Sequence, residues 1–203
     1  MEKISTVGEQ INIRLGMLFS RLGITPNVWT LLSIAPALAG FTLLCKGNLL
    51  GGLLCFILSD VIDAIDGAVA RVTSSTSNLG AFLDGITERY LELLLYAGLF
   101  FYVQRMPEGA VPNTLAVFML AFGALMIPYV KAYADHRKVI TDAEELKKLD
   151  GVYGRNSRVV LTYTGMVLGV FNPLWLVYAI GFLAAIVNLA ALQRVFYVVL
   201  RRQ

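Results

Sequence analysis

The segment DAIDGAVARVTSSTSNLGAFLDGITER, from Asp63 to Arg89, sets four acids and two arginines in the most apolar company of the chain. Ionisable groups inside an apolar helix are expensive, and where they occur they serve function by default. Asp63 and Asp66 are three residues apart, and Asp84 and Glu88 are four apart, so on helices each pair shares one face. The polar stretch TSSTSN separates the pairs and reads as a turn. At ~1.5 Å rise per residue, Asp66 lies roughly 7–8 Å and Asp63 roughly 12 Å below that turn, with Asp84 about 9 Å and Glu88 about 15 Å down the facing helix. Four carboxylates thus converge from two antiparallel helices. At close range they repel, the more so at low dielectric, and need cations. An oxygen-only donor set selects hard divalent ions such as Mg²⁺, Mn²⁺ or Ca²⁺. A two-metal carboxylate site is a device for phosphoryl displacement. Gly67, Ala70 and Gly80 keep the helices slim enough for close approach. Arg71 can offer phosphate a two-pronged fork. The plainer alternative, that the acids only pair with Arg71 and Arg89 to hold the bundle, leaves charge uncompensated.

The elements that must position these groups are apolar helices. The chain has 203 residues, is 57% hydrophobic and 15% charged, and has a mean hydropathy of +0.69. Stretches of about 20 apolar residues, enough to cross a bilayer, are expected at Val28–Cys45, Leu49–Val72, Leu79–Val103, Pro112–Ala132, Ser157–Phe171 (with room to extend into the polar residues before it) and Leu174–Leu200. Ahead of them, Glu9–Gly23 spaces Ile11, Leu15, Leu18 and Leu22 as an amphipathic surface helix that GITPN ends. The expectation is an all-α polytopic membrane protein of six spans, one domain over residues 1–203, with residues 1–27 as a juxtamembrane amphipathic segment. Lysines and arginines gather on the side of both termini and of TSSTSN, while the opposite turns hold only Lys46 and Arg105. Both termini and the acidic site are therefore expected at the cytoplasmic face of the cell membrane. MEKISTVGEQ has no apolar h-region, so no cleavable signal peptide is expected. A net charge of +3 is too small to imply nucleic acid. Cys45 and Cys55 lie in apolar stretches as small hydrophobes, and the single histidine, His136, lies in a polar one, so neither zinc nor histidine chemistry is indicated.

The same residues resemble the signature of CDP-alcohol phosphotransferases, D-x2-D-G-x2-A-R-x8-G-x3-D-x3-D. Asp63, Asp66, Gly67, Ala70, Arg71, Gly80 and Asp84 match it at the right spacing. The six spans and the TPN before the first extend the likeness over essentially the whole chain. The resemblance implies transfer from a CDP-linked lipid (CDP-diacylglycerol or an archaeal ether counterpart) to an acceptor alcohol, with release of CMP. It implies two Mg²⁺ or Mn²⁺ ions on Asp63, Asp66, Asp84 and Glu88, and a CDP-lipid pocket lined by Asp63, Gly67, Ala70, Arg71 and Gly80. It also implies a homodimer among membrane lipids. The last signature aspartate is here Glu88, the position that in the family serves as metal ligand and as base toward the acceptor hydroxyl. Catalysis thus falls to Glu88 and Asp84. A longer arm displaces the oxygens by roughly 1 Å, enough to cost ~10²-fold when uncorrected, so a non-catalytic family member is one alternative.

The acceptor is expected to be an anionic polyol. Lys131, in IPYVKAYADHRK, and Arg155 and Arg158, in GRNSR, are cations at helix ends. They resemble the inositol-phosphate-using branch, in which a basic residue and an R-x2-R element hold the acceptor phosphate. That branch usually carries an arginine two residues beyond the lysine, where this chain has Tyr133. Glycerol 3-phosphate fits the same cations, and lipid head groups would also suit them. A transporter using midplane acids calls for inverted repeats and broken helices, and neither is visible. Arg89 is expected to pair with a neighbouring acid, and Glu92 to support the Asp84 and Glu88 stripe.

Overall fold

The computed structural model describes residues 13–106, 112–149, 151 and 154–200, and among these the regular structure is entirely helical. The first part of the expected surface helix, Lys3, and the terminal Arg201 and Arg202 lie outside the described residues. Residues 13–20 are helical and are followed by α1 (Pro26–Cys45), α2 (Leu49–Val72), α3 (Asn78–Val103), α4 (Asn113–His136), α5 (Ala143–Lys148), α6 (Arg155–Phe171) and α7 (Pro173–Leu200). The stretches expected as spans fall on the helices α1–α4, α6 and α7. The short α5 falls in what the sequence presents only as a polar stretch. Its logic is local: Asp142 caps it by accepting the Glu144 N–H at 3.1 Å, with Glu144 and Glu145 in its first turn and Lys147 and Lys148 in its last.

By length and composition, α1, α4 and α7 are apolar enough to cross a membrane. The other long helices fall outside that length or composition. α2 and α3 carry the acids and arginines of the site, and α6 is 17 residues long with Arg155 and Arg158 in its first turn. Large apolar side chains such as Leu31, Phe118, Phe171, Tyr178 and Phe182 are exposed on the helix surfaces.

The chain separates into two compact units, residues 1–43 with 51–95, and residues 44–50 with 96–203. In the second unit α7 packs against α4 and α6. Close approach there relies on glycine. A Cβ at Gly165 would lie 2.9 Å from the Ala179 Cβ, and one at Gly169 2.7 Å from the Leu176 Cβ. Asn188 bridges helices by donating to the Met119 carbonyl at 2.8 Å. Arg105 donates to the carbonyls of Leu44 (3.3 Å) and Cys45, satisfying the end of α1.

The first unit holds the acidic segment. α2 closes in a Schellman motif: the Ser75 N–H reaches the Ala70 carbonyl at 3.0 Å, the Ser74 N–H reaches that of Arg71 at 3.4 Å, and Ser74 takes a left-handed φ of 51°. The chain then reverses directly into α3. Ser77 caps this helix, accepting the Gly80 N–H on its hydroxyl at 3.0 Å and the Ala81 N–H on its carbonyl at 3.0 Å. The TSSTSN turn is thus two helix caps back to back.

Candidate functional site

Within the first unit, the carboxylates of Asp63, Asp66 and Asp84 each bring an oxygen within 4.8 Å of the others. Asp63 and Asp66 are buried and Asp84 is half-buried. Like charges at that separation in a sheltered site repel strongly unless a cation joins them. The donors are all hard oxygens, the set that suits Mg²⁺ or Mn²⁺. The cluster therefore fits a divalent ion. Of the four carboxylates expected to converge from the two helices, Asp63, Asp66 and Asp84 form this group.

Glu88 is placed differently. It is not part of the group of three; its Oε2 accepts from Arg89 at 2.8 Å. Arg89 also donates to Glu92 at 2.7 Å, so one guanidinium ties two acids of α3, and Glu92 is buried beneath it. The pairing expected of Arg89 is present, with both Glu88 and Glu92. A Cβ at Gly85, one turn before Glu88, would meet nothing within 4 Å, so the helix is open there.

A pocket adjoins the aspartates, lined by Asp66, Asp84, Gly67, Ala70, Arg71 and Gly80 together with Pro26, Asn27, Thr30 and Ser75–Ser77. Every signature residue named for the CDP-lipid borders it except Asp63. The added Cβ of an alanine at Gly67 would lie 3.5 Å from an Arg71 guanidinium nitrogen, an ordinary contact, so the fork runs alongside this glycine at the pocket. The cap of α3 opens on the same pocket. Its Gly80 and Ala81 N–H groups are held by Ser77, and the helix dipole and Arg71 favour an anion there. The pocket can thus receive a phosphate at one side and a divalent ion at the other.

Thr30 was not named from the sequence, while Asn27 entered only through TPN and the serines only through the TSSTSN turn. Thr30 is buried; its Oγ1 donates to the Asp66 carboxylate and lies 3.2 Å from the Pro26 carbonyl. Beneath it the Ser33 hydroxyl donates to the Thr30 carbonyl and the Ser59 hydroxyl to the Ser33 carbonyl, each at 2.7 Å. The available signal was the pair Thr30 and Ser33 at i,i+3 in an otherwise apolar helix.

The expected acceptor cations lie in the second unit. Lys131 is half-buried on α4, Arg155 is half-buried as the first residue of α6, and Arg158 is buried one turn on, 1% exposed.

Comparison with known proteins joins these features to relatives. The chain is 28% identical to an archaetidylinositol phosphate synthase of Aeropyrum pernix over 179 residues, 88% of this chain and 85% of that one. It is 26% identical to a phosphatidylinositol phosphate synthase of Mycobacteroides abscessus, over 86% of this chain and 76% of the relative. Its fold matches the crystal structure of the Mycobacterium tuberculosis phosphatidylinositol phosphate synthase with CDP-DAG bound, with a TM-score of 0.78 at 25% identity over 93% of this chain and 94% of the other. The same enzyme in complex with manganese and citrate matches with a TM-score of 0.79 at 25% identity, over 92% and 88% of the two chains. The family model for CDP-alcohol phosphatidyltransferase matches residues 23–192, which contain the aspartate cluster and its pocket, and the chain belongs to that family.

Proposed function

We propose that this protein transfers a phosphatidyl-type group from a CDP-linked lipid to inositol phosphate and releases CMP. The observation that carries the reading is the cluster of Asp63, Asp66 and Asp84 beside a pocket that ends on Arg71 and the capped start of α3. The relatives named for inositol phosphate products support the acceptor.

Asp63, Asp66 and Asp84, with Glu88, would hold two Mg²⁺ or Mn²⁺ ions, whose charge neutralises the diphosphate and favours displacement at phosphorus. Arg71 binds diphosphate oxygens and orients the donor, with the dipole of α3 adding to the attraction. Gly67, Ala70 and Gly80 keep the pocket wall low enough for the nucleotide. Thr30 fixes the Asp66 carboxylate. An acceptor hydroxyl oxygen attacks the lipid-side phosphorus, the bond from that phosphorus to the CMP oxygen breaks, and Glu88 takes the hydroxyl proton. Arg89 orients Glu88 from below, and Asp84 shares the same face of α3. Lys131, Arg155 and Arg158 bind the acceptor phosphate. The polypeptide crosses the membrane six times with both termini cytoplasmic, works on membrane lipids at that face, and pairs as a homodimer.

The test is CMP release by the purified protein in lipid, from CDP-diacylglycerol or its ether analogue, with inositol phosphate or glycerol 3-phosphate and with or without EDTA. Release that requires inositol phosphate and stops with EDTA is expected. Release with glycerol 3-phosphate alone would reassign the acceptor, and no release with any donor would make the protein non-catalytic.

A further inference from the structure

Resting on the metal reading above, we infer that the helix at residues 13–20 is a positioning element for the aspartate site, seated on α2 through Gly16 and Phe19. Gly16 is buried against the segment of α2 that carries the signature. A Cβ at position 16 would collide with the Ala68 carbonyl and lie 2.6 Å from the Val72 Cγ2. The first of these neighbours is backbone, so the contact cannot be relieved by turning a side chain. One turn on, Phe19 meets the Trp29 ring edge-on at 5.4 Å and 79°. Phe19 and Ile24 pack on the cluster of Trp29, Ile65 and Val69.

The register of α2 gives this contact its consequence. Ile65, Ala68, Val69 and Val72 meet the N-terminal helix and its neighbours, while Asp66, Gly67, Ala70 and Arg71 border the pocket. The two sets alternate along the same two turns. Pushing the N-terminal helix away from Ala68 therefore pulls on the backbone that aims Asp66 and Arg71. Trp29 extends the coupling, because it is adjacent to Thr30, which holds the Asp66 carboxylate. Groups that orient metal ligands from outside the coordination sphere weigh heavily on metal affinity.

The experiment is Mn²⁺ binding followed by electron paramagnetic resonance on the full chain in lipid, with thermal stability measured in parallel. Gly16→Val should weaken Mn²⁺ binding by about tenfold or more, Gly16→Ala by less, and Phe19→Ala in the same direction without overpacking. Gly169→Ala in the second unit is the control: its Cβ is also crowded, at 2.7 Å from the Leu176 Cβ, and it should lower the Tm while leaving Mn²⁺ affinity unchanged. If Gly16→Val does not fold, Gly16→Ala and Phe19→Ala decide the matter. Native affinity in these folded variants, with only the Tm reduced, would falsify the positioning role and leave the metal site standing. A wild-type chain that takes up no Mn²⁺ overturns the metal reading and this inference with it.

Discussion

At the scale of single residues, the site separates into groups that hold charge and groups that aim them. Asp66→Asn and Asp84→Asn each remove a negative charge from the proposed metal site while keeping volume. Each should depress CMP release by about 10²-fold or more, read alongside Mn²⁺ affinity. Thr30 aims rather than holds. Thr30→Val deletes the donor to Asp66 and should weaken Mn²⁺ binding about tenfold, whereas Thr30→Ser keeps the hydroxyl and most of the affinity. Glu88→Gln should leave CDP-lipid binding intact and remove turnover; turnover retained there would move the base to Asp84 or to another group. The aspartates and their small neighbours were legible in the sequence because their spacing is set by helix geometry alone. Thr30 was not, because a threonine in an apolar helix gives no local sign of what it faces across the bundle. The placement of Glu88 also lay beyond sequence reading. Helix spacing puts it on the face of Asp84, but its pairing with Arg89 is set by side-chain torsions.

At the scale of elements, the turn between α2 and α3 is where helix ends become chemistry. Ser77 supplies a cap to α3, and Ser77→Ala should cost about 1 kcal/mol of stability in a thermal melt. The same change loosens the turn beside Arg71, so the KM for the CDP-lipid should rise with it. Ser74 holds a left-handed φ of 51° without being glycine. Ser74→Gly relieves that conformation, and a gain of about 0.5–1 kcal/mol is expected by the same melt. Element boundaries were legible to within a few residues, because Pro26, the KGN turn, TSSTSN and Asn172–Pro173 all break helices by backbone chemistry. The α5 helix was the exception. Six residues bury nothing of their own and leave no apolar period to read.

At the scale of the whole molecule, the cations proposed for the acceptor and the acids belong to different units of the chain, and sequence spacing says nothing of how such units cooperate. The kinetic signature separates them. Arg155→Ala should raise the KM for inositol phosphate, by the equivalent of roughly 2–5 kcal/mol, and leave that of the CDP-lipid nearly unchanged. Equal KM values in variant and wild type would return Arg155 to a head-group contact.

The exposed apolar side chains on the helix surfaces carry one more consequence. In water they would be buried by folding, and their exposure on melting would raise the heat capacity by the ~12–15 cal/mol/K per residue seen for soluble domains. In lipid these side chains meet hydrocarbon whether or not the helices remain packed together. Separating the helices then wets little new apolar surface. The heat-capacity increment of that separation is correspondingly small, and the curve of stability against temperature is flat. What holds the helices together is close packing at Gly165 and Gly169 and polar bridges such as Asn188, interactions that do not fade on cooling as hydrophobic burial does.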